Sequence, residues 1–363
     1  MPPWHQQSDD ALLIARTKLK QGFLSTVLGM EPGLENATWV VKVERHVERY
    51  LGKRAGRMAR RGAREAELIA GKATGRVRAA AWELLSGGSP GVEREVDLGD
   101  PGLMGPGSVS WQILSDPSSL VGGVRALLKQ AAHPRVVQGV IDHSAYETDT
   151  VGRLNRTVWF VSATTFGSTR EARMAAEIVK RAHRVVNGVT SEGEAYDAND
   201  PHLLEWVHLC LVESLLVSYR EFGSGVLSEG DEDRFVEEQA RAFMLLSESG
   251  TARSVRELHQ RLDAYRDEMR NTDACREAVR FILKPNLPGV ARAPYSVLLA
   301  AAIGSLDAHT RAVLCVREVK IPKAAVRAAT SAFLDLWRGV IGEGEASKIA
   351  RERVDGRKET PSA

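Results

Sequence analysis

At 363 residues with 49 Lys/Arg against 47 Asp/Glu, the chain carries a formal charge of only +2, which excludes an overall field drawing it to nucleic acid or an acidic partner. Cys210, Cys275 and Cys315 lie far apart in sequence, so neither a disulfide framework nor a thiolate metal knot is expected, and a reducing compartment fits. The longest apolar run, near 296–306, falls well short of the roughly 20 residues that span a bilayer.

The first ten residues, Met-Pro-Pro-Trp-His-Gln-Gln-Ser-Asp-Asp, show no basic stretch followed by an apolar one, which predicts a cytoplasmic protein. Residues 9–30 read as an amphipathic helix carrying Leu12, Leu13, Ala15, Leu19 and Phe23 on one side. From 42 to 78 the chain is rich in Lys and Arg but has Tyr50 as almost its only aromatic residue. That block is either a surface for phosphate or anionic lipid or a set of solvated helix faces, and the lack of stacking aromatics favours the second.

Gly and Pro cluster over 86–110 and mark a loop. A phosphate cradle there is disfavoured, since no strand precedes it, no Lys-Ser/Thr follows it and Pro removes backbone donors. Beyond it the pattern is helical almost to the end. Asp149 caps one helix, and residues 170–187 form the next. Asp200-Pro201 starts a helix through Tyr219, because Pro in the first turn loses no helical hydrogen bond. Further helices are expected near 231–248, 254–270, 273–283, 292–306, 308–318 and 322–341. The expected organisation is an N-terminal helical arm over 1–100, a helical domain over 101–345 and a charged, frayed tail over 346–363. The fold class is all-α.

Polar residues at core-like positions concentrate between Trp111 and His208. Ala172, Ala175, Ala176, Val179, His183 and Val186 share one helical face, which makes His183 an inward-facing imidazole beside small residues. Such a face suits either a haem, with one nitrogen aimed at iron, or a satisfied core histidine, and spacing alone favours the latter. Arg153, Arg156, Thr157 and Phe160 share a face of the preceding helix. The arginines there would be answered either by cofactor carboxylates or by a structural salt bridge to Asp142, Glu147 or a neighbouring helix. Glu205-Trp206-Val207-His208 has the Glu-x-x-His spacing of a di-iron bundle, but the chain holds no second copy. His208 among leucines reads as a core residue. His133 before Pro134 and His143 before Ser144 fall at helix ends, where either caps carbonyls or reaches a pocket.

An ordered series of short motifs runs through this region: Gly-Gly-x-Arg-Ala-Leu-Leu-x-Gln-x-x-His-Pro (122–134), Gly-Val-x-x-His-Ser (139–144), Gly-Arg-Leu-x-Arg-Thr (152–157), Phe166-Gly167, His-x-x-Val-x-Gly (183–188) and Asp-Pro-x-Leu-Leu-x-Trp-Val-His (200–208). Over roughly 105–245 it resembles the rubber oxygenases (latex-clearing proteins) and the fungal mpaB oxygenases. The resemblance implies a single large helical domain with a globin-like core plus extra N- and C-terminal helices. It also implies b-type haem, and dioxygen used to oxidise carbon–carbon double bonds of apolar substrates. By motif position His183 would ligate the iron, and Arg153, Arg156 and Thr157 would form the polar cluster over the opposite haem face. Arg153 and Arg125 would serve the cofactor's carboxylates. Arg156 stands where rubber oxygenases carry a lysine that caps the iron, and a guanidinium has no lone pair to give. Asn187 stands where many relatives carry arginine. With the secretion signal of rubber oxygenases also missing, the implied substrate is a small intracellular apolar molecule rather than a polymer. A non-catalytic haem- or anion-binding protein is the alternative, and homodimerisation is left open.

Overall fold

The computed structural model describes residues 97–143, 150–287, 289–317, 322–341 and 344–356, with only the backbone of 150–156. The helix expected over 9–30, the basic block 42–78, the Asp149 cap and most of the 1–100 arm lie outside the described residues. Among those described, thirteen α-helices and one two-stranded antiparallel sheet account for the regular structure. An all-α fold is what the periodicity required. No described helix is long and apolar enough to cross a membrane.

The core is built on two helices, α2 (Ser118–Gln130) and α6 (Pro201–Phe222). Asp200 caps α6 by accepting from His202 N–H at 2.9 Å, with Pro201 in the first turn as the sequence predicts. Along α6, Leu203, Trp206, Leu209, Val212, Leu215, Leu216 and Tyr219 are all buried. Each such side chain removed from water contributes about 2 kcal/mol before entropy is counted. The two helices can approach closely because α2 carries Gly122. A Cβ there would meet the Leu215 Cα at 3.0 Å and the Ser214 carbonyl oxygen at 3.2 Å. Around this pair pack α1 (Val109–Ser115), α3 (Pro134–His143), α7 (Glu229–Phe243), α8 (Val255–Ala264), α9 (Asp273–Leu283), α10 (Gly289–Ser305), α11 (Ala308–Val313) and α12 (Lys323–Ile341).

Most expected helices form within a few residues of their predicted bounds. The exceptions are α7, which ends at Phe243 rather than near 248, α8, which stops at Ala264 and gives way to a single 3-10 turn over Arg266–Glu268, and α11, which ends at Val313 before Cys315 at φ 52°.

A second, smaller layer is the hairpin of α4 (Thr150–Phe166) and α5 (Thr169–His183). Ser168 starts α5 with a capping box, its hydroxyl accepting from Glu171 N–H at 3.2 Å and Glu171 accepting from Ser168 N–H at 2.6 Å. The corner of the hairpin is clamped from two sides. Asp100 accepts from Thr169 N–H at 2.8 Å and Asp97 from the Ser168 hydroxyl at 2.7 Å. Gly102, at φ +74°, passes so close that a Cβ would lie 2.0 Å from the Gly167 carbonyl oxygen, so only glycine fits.

The other side of the clamp is α13 (Glu345–Asp355), which corrects the frayed tail expected from 346 onward over the described part of that segment. Ile349, Ala350 and Arg353 are buried, and Arg353 donates to the carbonyls of Asp100 at 2.9 Å and Phe166 at 2.8 Å. Charge content hid this helix: its hydrophobic face is only a few residues wide, and the largest buried side chain on it is an arginine.

Candidate functional site

His183 is the last residue of α5. Its helical face grades from fully buried Ala172, Ala175 and Ala176 near the corner to half-buried Val179, His183 and Val186 at the far end. The alanines form the buried face of α5, the helix that packs on α4, so the small-residue face is enclosed along most of its length. Only the far end, with the imidazole, is left partly open. There the Nδ1 of His183 is buried and has no hydrogen-bond partner. Burial pushes the imidazole below the usual histidine pKa, against a backbone hydrogen bond with Ala198 and the charge of Asp197. At neutral pH it is therefore an uncharged ring with a lone pair.

The segment after His183 is held from below. Strands β1 (Asn187–Val189) and β2 (Ala195–Asp197) pair Asn187 with Asp197 and Gly188 with Tyr196, and Ala198 N–H closes on the Val186 carbonyl at 2.9 Å. Tyr196 is buried and donates its hydroxyl to Asp142 Oδ2 at 2.5 Å. Burial and this carboxylate push its phenol up to about 12. His143 Nε2 lies 3.1 Å from the Asn187 carbonyl and 3.2 Å from the Tyr196 hydroxyl. Asp142 and His143 are thus tied into the support of the hairpin.

Counting from the Gly167-Ser168 corner at 1.5 Å per residue, Arg153 on α4 and His183 on α5 both lie roughly 20 Å away. The backbone therefore brings the start of α4 alongside the end of α5. The side chains of Arg153 and Arg156 lie outside the described residues. Thr157 is exposed though not without partners, and Phe160 is half-buried.

Arg125 has a different place from the one the motif implied. It is 2% exposed and spends its five N–H donors within the protein. It forms a two-pronged pair with Glu213, with Nη2 at 2.8 Å from Oε1. Ser214 Oγ accepts at 2.9 Å, and the Ser305 carbonyl receives Nε at 3.4 Å and Nη2 at 3.3 Å. Lys129 Nζ joins Glu213 at 2.8 Å. No donor is left for a cofactor carboxylate, so Arg125 holds α2 to α6 and α10.

The di-iron spacing also resolves. Glu205 receives Arg261 Nη1 at 2.5 Å and the Tyr265 hydroxyl at 3.3 Å. His208 instead lies 5.0 Å from Phe243, ring to ring, with its pKa pushed down to about 4 by burial. What sequence spacing gave no sign of is the meeting of His133, His202 and Glu268, which lie far apart in the chain.

Among curated proteins and among solved structures nothing matches. The family described as ER-bound oxygenase mpaB/B'/rubber oxygenase, catalytic domain, matches residues 111–342, which run from α1 through the end of α12. This span covers more than half of the chain and extends well past the motif series read from sequence. The chain belongs to the mpaB/rubber oxygenase catalytic-domain family, a family of oxygenases.

Proposed function

We propose that this oxygenase works with haem b, that His183 is its iron ligand, and that its substrate is a small, apolar, unsaturated molecule. The observation that carries this reading is the buried, partnerless Nδ1 of His183 on an uncharged imidazole at the open end of α5. A buried polar atom without a partner is costly, on the order of 1–3 kcal/mol, and a prosthetic group against that end of the helix would give the ring a role that repays it. This orphaned nitrogen is what supports the reading.

Haem, when bound, supplies an iron at which dioxygen is activated for attack on a carbon–carbon double bond. The chain supplies the rest. His183 would offer a neutral nitrogen lone pair at the end of α5, next to the hairpin that Tyr196 and Asp142 anchor. Arg153 and Thr157, level with His183 on the neighbouring helix, would hold the carboxylates of the bound group or donate hydrogen bonds to it. Arg156 would stay protonated, with no lone pair to offer the iron of a bound haem.

The test is the absorption spectrum of the purified full-length protein made with haem supplied, wild type beside His183→Ala. A Soret band that is lost or shifted in the variant, followed by turnover of small alkenes by wild type, is the expected result. A wild-type protein without a Soret band, or a variant with an unchanged one, overturns the assignment.

A further inference from the structure

Away from the α4–α5 hairpin, three ligand-type side chains converge from separate elements. His133 immediately precedes α3, His202 lies in the first turn of α6, and Glu268 closes the 3-10 turn after α8. Glu268 stands between the two imidazoles. Its Oε2 is 3.1 Å from His133 Nε2, while Oε1 and Oε2 are 2.8 and 3.0 Å from His202 Nε2. One ligand atom from each residue lies within 4.8 Å of the others. Ligands held about 2.1 Å from a common ion sit roughly 3 to 3.5 Å apart, so small side-chain adjustments close this set around one.

Packing against aromatic rings fixes both imidazoles in place. The His202 ring stacks on Tyr265 with centroids 4.5 Å apart and planes at 26°, and the Tyr265 hydroxyl donates to the His202 carbonyl at 2.9 Å. His133 is wedged against Trp206 at 5.9 Å and Tyr265 at 6.3 Å. Arg135 reaches Glu268 Oε2 at 3.5 Å and Asp200 Oδ2 at 3.3 Å, an outer partner of the kind that fixes a ligating carboxylate. His133 is 1% exposed, and although Glu268 answers its Nε2, its Nδ1 has no partner, so hydrogen bonding within the protein satisfies only one of its two ring nitrogens.

His202 and Glu268 are only partly covered. Beside them opens a cavity of about 340 Å³ lined by His133, Arg135, Glu194, Glu268 and Arg270 among others. Two imidazoles and one carboxylate suit a late first-row divalent ion. Calcium and magnesium ask for oxygen ligands alone, and no thiolate is present to select a softer ion.

We propose that His133, His202 and Glu268 bind one divalent ion of the zinc, iron(II) or cobalt(II) class, with an open coordination side turned toward this cavity. The site shares no residue with the His183 end of α5, so the two stand or fall separately.

The experiment uses the tag-free full-length protein, stripped with a chelator and titrated with Co(II) by visible absorption and with Zn(II) by calorimetry. Wild type is expected to bind one equivalent with micromolar or tighter affinity. His202→Ala and Glu268→Gln are each expected to weaken it by at least about tenfold. His183→Ala and a change at the exposed His259 on α8 should leave it as in wild type. His202→Ala, at a surface position, carries the test if Glu268→Gln proves misfolded by circular dichroism. Wild-type binding no tighter than millimolar, or binding by His202→Ala equal to wild type, overturns the proposal.

Discussion

Replacing Glu213 with alanine is expected to lower the unfolding free energy by about 3–5 kcal/mol, because the change leaves two cations buried without their anion. Arg125 and Lys129 both end on this carboxylate, and all three side chains are nearly inaccessible to water. The Ser214 hydroxyl and the Ser305 carbonyl would keep some bonds to Arg125 but cannot neutralise it. Replacing all three members together with apolar residues of similar volume is expected to cost much less than the single change. The acid dependence follows from the same geometry. Burial works to raise the Glu213 pKa, but the Arg125 and Lys129 charges and their hydrogen bonds outweigh it and hold the carboxyl at about 2. Its folded pKa is depressed, so its contribution is complete above the unfolded value of about 4.3 and is lost as pH falls from there toward 2. Urea melts of wild type and Glu213→Ala should therefore show a gap that is wide at pH 7 and narrows on acidification. A gap that does not change with pH would remove this account of the triad.

Arg353→Ala is expected to cost about 2–4 kcal/mol. It leaves the carbonyls of Asp100 and Phe166 without their donor, weakens the approach to Glu171 at 3.5 Å, and opens a void under α13. For a domain of this size that corresponds to a fall in melting temperature of about 4 °C or more. Arg353→Lys should recover only part of the loss, since one ammonium cannot reach two carbonyls and a carboxylate in the way a planar fork does. Calorimetry decides the matter: an alanine variant that melts within about 1 °C of wild type would mean that α13 is not docked in solution.

Features written into local sequence were legible before the fold was known. The Asp200-Pro201 start of α6, the inward face of α5 and the bounds of α9 follow from capping chemistry and a 3.6-residue period. The all-α class follows from the same periodicity. The misreadings share one cause, which is that a partner distant in sequence decides what a charged residue does. Arg125 sits in a motif and looked like a ligand for carboxylates. It does bind one, but the carboxylate belongs to Glu213, 88 residues away. Arg353 made the C-terminal segment look too charged to fold, although it is the residue that docks it. The position of His133 before Pro134 fits a capping role as well as a pocket role, and the turn at Glu268, distant in sequence, supplies its partner. The placement of His183 at a helix end could be counted from sequence. Its partnerless nitrogen could not, since that depends on what the hairpin 187–197 brings over it.

The two-sided clamp on the α4–α5 corner bears on where this molecule can be cut. The family match begins at 111 and ends at 342, so excising that span would retain His183, Arg153, Arg156 and Thr157. It would discard Asp97, Asp100, Gly102 and Arg353, which hold the hairpin's closed end. The piece defined by kinship is thus smaller than the piece defined by mechanics. A 111–342 excision is expected to be readily digested by proteases at the α4–α5 turn, where a 97–356 excision resists.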